Sequence, residues 1–151
     1  VNGWSFDGSD DYLNTGAQWT DGNWSVVIKF SDYSKQAYVL CGFKQGNDSE
    51  WSLYPNYTDD LAYFELNAEE HTMVGFSSGT VVTTNENVWV DGVAKGYDSG
   101  AWSTEGDEQF LIGGYDRDGP RYYSVSKVQY FALYHTTLTE AQAIAVTNAI
   151  S

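Results

Sequence analysis

The chain has 151 residues, 42% of them hydrophobic, which suits one domain with a substantial core and excludes global disorder. Its formal net charge is −14, from 21 acidic against 7 basic residues. It therefore lacks the clustered Lys and Arg that displace phosphate counterions, and it would repel nucleic acid and anionic membrane surfaces alike. A single cysteine, Cys41, excludes an intrachain disulfide; its strand-like surroundings make it a small buried hydrophobe.

Short β-type runs separated by Gly, Asn and Asp predict strands over 2–6, 11–14, 24–30, 37–43, 50–54, 61–66, 72–76, 88–90, 93–97, 109–112 and 124–134. Alternation along 24–30 turns Trp24, Val26, Ile28 and Phe30 inward and Ser25, Val27 and Lys29 to the other face. Asp91-Gly92 between Val-flanked segments is a two-residue hairpin signal, since both turn positions favour positive φ. One helix is predicted, over 141–150, with Thr139 as its cap and Gln142 reaching back. Leu138, Ala141, Ile144 and Ala145 form its expected docking stripe. No repeat, linker or long apolar segment interrupts 1–151, so the expectation is a single all-β domain, an antiparallel β-sandwich with a short C-terminal helix and no membrane insertion. The start at Val1, without Met or a signal peptide, fits an excised domain or a trimmed N-terminus.

Three motifs occur in order: Phe6-Asp7-Gly8-Ser9-Asp10-Asp11-Tyr12, then Val88-Trp89-Val90-Asp91-Gly92, then Tyr134-His135-Thr136-Thr137-Leu138-Thr139-Glu140. Together they resemble the laminin G-like branch of the concanavalin A-like lectin/glucanase superfamily. The resemblance implies a concanavalin A-like jelly roll. Ser126-Lys127-Val128 departs from the Gly-initiated strand usual before the last motif, so rim residues do not transfer directly from relatives. The fold alone leaves function open, because such sandwiches bind, adhere, build and hydrolyse.

The acidic excess reads as a solvated surface or as the partner of a divalent cation. Ca²⁺ takes six to eight oxygen ligands, and Asp7, Asp10 and Asp11 lie close in sequence, while Asp116 and Asp118 flank a tight loop. Relatives of this branch hold calcium on loops, so these five aspartates are the candidate metal ligands. Asp7-Gly8 reads equally as a turn in which the carboxylate bonds nearby backbone.

A sugar site needs a ring to cover the apolar face of a pyranose and polar groups to take its hydroxyls. Trp51, Tyr54, Tyr57, Trp102, Tyr115, Arg117 and Arg121 are the candidates, in turn-rich segments that also contain Tyr122 and Tyr123. Trp24 and Trp89 look structural. Catalytic relatives carry two carboxylates on one strand face; here Glu65, Asn67 and Glu69 occupy alternate positions, but Asn stands where an assisting Asp belongs. The two histidines, His71 and His135, have no Cys nearby and suggest no zinc site.

The leading expectation is thus a non-catalytic domain that binds an oligosaccharide or surface glycan, with calcium assistance from the aspartates. The alternative is a structural or adhesive protein on a particle surface, such as a phage decoration or fibre domain, with other copies or virion proteins as partners. A glycoside hydrolase is the minor alternative. All three imply an extracellular or particle-surface location.

Overall fold

The computed structural model describes residues 3–18, 23–36, 38–45, 49–66, 69–84, 87–95, 109–116 and 120–151. In chain order the elements are β1 (Trp4–Asp7), β2 (Leu13–Gln18), β3 (Ser25–Ser31), β4 (Cys41–Gln45), β5 (Ser49–Tyr54), β6 (Leu61–Leu66) and β7 (Glu69–Val74). There follow β8 (Gly79–Thr84), β9 (Val88–Val90), β10 (Val93–Ala94), β11 (Gln109–Ile112), β12 (Tyr115–Asp116), β13 (Pro120–Arg121), β14 (Val125–Tyr134) and the helix α1 (Glu140–Ile150).

Two sheets form a jelly-roll-like sandwich. One has the order β1-β14-β3-β8-β9-β10; the other runs β13-β12-β4-β5-β6-β7, with β11 joined to β4 and β2 to β11. Pairing is antiparallel except where β12 runs parallel to β4. Side chains at alternate positions of both sheets fill the space between them, as the predicted inward set does: Trp24, Val26, Ile28 and Phe30 all lie in the core, with Leu53, Phe64, Phe110 and Val128. Cys41 is in the same core, and burial pushes its thiol pKa well up, so it is a packing residue.

The first sheet is also covered on its outer face. Val27, Val82 and Trp89 point there and meet Leu138 and Ala143. The capping box is formed as expected: the Thr139 side chain accepts from the Gln142 amide, and the Gln142 side chain accepts from the Thr139 amide. Of the expected docking stripe, Leu138 packs on the sheet but the helical positions differ. Ala143 and Thr147 are the buried residues of α1, with Val146 and Ile150 packed beside them, while Ala141, Ile144 and Ala145 are exposed. A small side chain at 143 lets the helix approach Trp89 and Val82 closely, which a wider apolar face would prevent.

β8 is a strand with no counterpart in the sequence-based prediction, although Thr80, Val81, Val82, Thr83 and Thr84 are all β-branched and buried. Predicted strand 37–43 begins only at Cys41, because residues 38–40 serve the loop packing described below. Gly113 has φ +87° and sits so close to Phe6 that an added Cβ would lie 2.4 Å from its ring, so only glycine fits. Among the described residues, no helix is long and apolar enough to cross a membrane.

The connection from β14 to α1 hangs on Ser25. Its fully buried hydroxyl donates to the Thr136 carbonyl at 2.7 Å and accepts from the Leu138 amide at 2.9 Å. Ser25→Ala strands both backbone groups in an apolar setting. The expected loss is about 1–3 kcal/mol of unfolding free energy, read from urea denaturation, with no change in the slope of the transition.

Candidate functional site

Strands β1, β3, β5, β7 and β11 end, and β2, β4, β6, β8 and β14 begin, at one end of the sandwich. The loops there are tied to one another by backbone hydrogen bonds. Tyr33 donates to Ser77, Ser34 to Val125, Gln36 to Asn56 and Val39 to Tyr122. Phe76 donates to Pro55, Gly75 to Asp60, Gly113 to Leu40 and Ser124 to Gly113, all of them between 2.8 and 3.3 Å. Loops joined in this way satisfy their own polar groups and hold a defined surface without needing strand pairing.

That surface is rich in tyrosine. Tyr12, Tyr38 and Tyr122 are 41%, 41% and 40% exposed, and Tyr123, next to Tyr122 in sequence, is half-buried. The Tyr12 and Tyr123 rings lie 6.2 Å apart, centroid to centroid, and the Tyr38 and Tyr122 rings 6.3 Å apart. Tyr122 has φ +57°, a left-handed conformation that costs a bulky residue energy and is retained where the surroundings impose it. Here the Tyr122 carbonyl is held by the Val39 amide. Beneath them, buried Tyr33 donates its hydroxyl to the Tyr38 carbonyl. Burial, with the nearby Cys41 and Tyr57, pushes the Tyr33 phenol pKa far up, so this donor keeps its proton throughout the accessible pH range.

A second group adjoins the first at the outer face of the eight-stranded sheet. Tyr57 meets Tyr54 edge-on at 5.7 Å and Tyr63 at 5.1 Å. Tyr54 and Tyr63 are paired across β5 and β6, and Tyr63 donates its hydroxyl to Asp59 at 2.6 Å. That bond, with backbone amides including Leu61 at 3.2 Å and the field of Lys35, holds the Asp59 carboxyl below its ordinary range. Two exposed ion pairs flank the end, Lys35 with Asp60 at 2.6 Å and Lys127 with Asp32 at 2.9 Å. Two buried amide atoms, Gln36 Nε2 and Asn56 Oδ1, have no hydrogen-bond partner among the described residues.

The expected sugar-binding residues divide sharply. Tyr54 and Tyr57 come together as above. Trp51 does not belong to a rim: it is 1% exposed and packs on Phe110 at 5.2 Å, because alternation along β5 turns it inward with Leu53. Tyr115 and Arg121 face each other as backbone partners in the β12–β13 ladder, immediately before Tyr122. Trp102 and Arg117 lie outside the described residues. Tyr12 and Tyr38 were missed, Tyr12 as part of a fold motif and Tyr38 as part of a predicted strand.

The metal-ligand set is not assembled by what the structure describes. Asp7 Oδ1 accepts from the Ser9 amide at 2.8 Å and Asp11 Oδ2 from the Asp7 amide at 3.4 Å, which is the turn chemistry of Asp7-Gly8. Asp7, Asp10 and Asp11 are exposed, Asp116 lies on β12 in the other sheet, and Asp118 is outside the described residues. Among the described residues, no three His, Cys, Asp or Glu side chains form a group able to hold a metal ion. These carboxylates alone therefore do not fit the six to eight oxygens of Ca²⁺. Glu65 and Glu69, read in the sequence as alternate positions without the assisting Asp, do not share a strand. They belong to different strands of the β6–β7 hairpin, with Glu65 opposite Glu70 and Glu69 opposite Leu66 in the backbone register. His135 stacks on Trp24 at 4.6 Å, far from this end.

Two measurements follow from this geometry. Trp51→Ala should cost about 3–5 kcal/mol of stability by opening a cavity in the core, seen as a large fall in thermal midpoint. Asp59, titrated by NMR, should protonate below the ordinary carboxylate range and return toward it in Tyr63→Phe. Because folding lowers this pKa, the bond's contribution is present above the unfolded value and is lost as pH falls through the folded one.

No protein-family model matches the chain, and no curated protein matches it. Solved structures do match in fold. The chain is similar to the Ruminococcus gnavus IT-sialidase CBM40 bound to α2,3-sialyllactose, with 21% identity, a TM-score of 0.64, and coverage of 85% of this chain and 84% of that one. It is similar to a mutant NanB sialidase from Streptococcus pneumoniae, with 10% identity, a TM-score of 0.64, and coverage of 95% of this chain but 27% of that one. A Trypanosoma rangeli sialidase in complex with sialic acid matches at 16% identity and a TM-score of 0.62, over 83% of this chain and 23% of that one. The chain thus spans about a quarter of the sialidases it resembles and most of the carbohydrate-binding module. At these identities the likeness is one of fold, a β-sandwich.

Proposed function

We propose that this domain is a non-catalytic carbohydrate-recognition module whose tyrosine-rich end holds an oligosaccharide. The observation that carries the reading is the pairing of exposed rings with a hydrogen-bonded frame: Tyr38 and Tyr122 are displayed on loops stitched by backbone hydrogen bonds, and Tyr12 is exposed beside Tyr123. A ring so placed covers the apolar face of a sugar at little entropic cost, since both side chain and loop are already ordered. The Asp59 carboxylate supplies a hydrogen-bonding group at the same end. The fold neighbour of matching length is a carbohydrate-binding module bound to α2,3-sialyllactose, which supports the class of ligand. The sialidases match over only a quarter of their length, which supports a non-catalytic role over a glycosidase. A module of this kind works at a cell or particle surface.

The test is a glycan array followed by titration with lactose and α2,3-sialyllactose, each in calcium and in chelator. We expect saturable binding between about 1 μM and 1 mM, weakened about tenfold or more in Tyr122→Ala and Tyr38→Ala while the folded spectrum is retained. Survival in chelator fits the described carboxylates; loss in chelator would show that binding requires a divalent cation. Silence across the array in both conditions sinks the reading and leaves a structural surface protein.

A further inference from the structure

A second cavity, of about 360 Å³, opens on the outer face of the six-stranded sheet where α1 ends. Lys29 and Ser31 of β3, Gln129 of β14, Ser78 before β8, Asp91 of the β9–β10 turn and Ser151 line it. It lies beside the loop end, on the outer side of this sheet, and its wall holds no tyrosine or tryptophan. We propose that it is a separate subsite for one neutral, hydroxyl-rich ring or polyol.

The argument rests on what is left unpaired. Gln129 sits at an irregularity in the β14–β3 register, a bulge that re-aims its side chain. Its Nε2 donates to Ser31 Oγ at 2.7 Å, while its Oε1 is buried with no partner among the described residues. Whichever way the amide is turned, one of its two polar atoms stays unmatched, and a buried group in that state is destabilising until something bonds it. A hydroxyl answers either case, because it both donates and accepts.

Asp91 and Lys29 narrow the chemistry. Asp91 Oδ1 accepts from the Thr80 amide at 2.8 Å, and Gly79, across the turn, leaves room for the carboxylate, since an added Cβ would come within 3.1 Å of it. The second carboxylate oxygen remains an acceptor. Lys29 Nζ donates to the Ile150 carbonyl at 2.5 Å, capping the helix C-terminus, and has two further protons to give. A phosphate or carboxylate would meet the Asp91 charge and the negative end of α1; a metal ion would meet the Lys29 ammonium. An apolar ligand would strand every one of these groups. Neighbouring hydroxyls on one ring satisfy donors and acceptors together without bringing charge. The volume lies at the small end of ligand pockets and suits a single ring.

The experiment is an NMR titration of the whole domain with methyl β-D-galactopyranoside, a stand-in for a glycan's terminal residue, and with myo-inositol, a free polyol. Saturable shifts of the Gln129 side-chain amide and the Gly79 and Asp91 backbone amides, at about 1–10 mM, are expected with at least one of them. The pyranoside would identify a glycan end and inositol alone a free polyol. The shifts should persist in Tyr122→Ala, so the outcome stands apart from that of the tyrosine end. They should weaken about tenfold in Asp91→Asn and in Gln129→Met. Asn tolerates the φ of +51° at position 91 and can still accept from Thr80, so the first variant keeps the turn. No saturable shift with either compound overturns the proposal, as does equal saturation in both variants.

Discussion

β3 is buried on both faces, and most of the architecture follows from that. Val26, Ile28 and Phe30 enter the space between the sheets, while Val27 faces out and is equally inaccessible. A strand apolar on both sides has to lie in the middle of its sheet, which is where β14 and β8 flank it over its whole length. It also needs a cover on the outside, and α1 provides one through Leu138 and Ala143. The helix in turn must be led back over the sheet, which the Ser25 hydroxyl achieves by holding the turn after β14. With the outer face of one sheet occupied by α1, open surface is left at the loop end and at the strip of cavity beyond the helix C-terminus.

This logic explains why some features were legible in the sequence and others were not. Period-2 alternation over 24–30 and the Thr139–Gln142 capping box are local signals, and both stand in the structure as read. The stripe of α1 was misassigned because Ala-rich helices carry little contrast between faces, and Trp89 across the interface, not the helix itself, selects Ala143. β8 escaped because its Thr residues look polar in sequence, although β-branching and central position make them buried strand residues. The pairing of Glu65 with Glu70 depends on where a hairpin turns, which alternation alone does not reveal.

The candidate site was legible only in composition. Twelve tyrosines announce a chain with many half-apolar, half-polar rings, yet Trp51 and Tyr54, three residues apart on one strand, go to opposite faces. Which rings reach the surface is decided by non-local contacts. Tyr38 is exposed because Leu40 and Val39 are bonded to Leu53 and Tyr122 and so pull the chain inward after it. Tyr122 is exposed because its backbone is held left-handed, a state invisible to propensity. The hydrogen-bonded frame that fixes Tyr38 and Tyr122 is made of non-local contacts, which sequence patterns do not encode.

Charge then bears on what such a surface can accept. A net charge of −14 places no penalty on a neutral glycan but opposes an acidic one at any distance the solvent does not screen. At the tyrosine end, Lys35 and Lys127 are already paired with Asp60 and Asp32, so neither offers a full positive charge to a ligand. The chain has two arginines, Arg117 and Arg121, and both fall in the segment that leads directly into Tyr122. A sugar carboxylate bound near Tyr122 therefore has to draw on that segment, because guanidinium is the one cation here suited to bidentate pairing with it. A neutral sugar needs only the rings and hydrogen-bonding groups. Discrimination between the two kinds of glycan is thus a question about two arginines set against an acidic background.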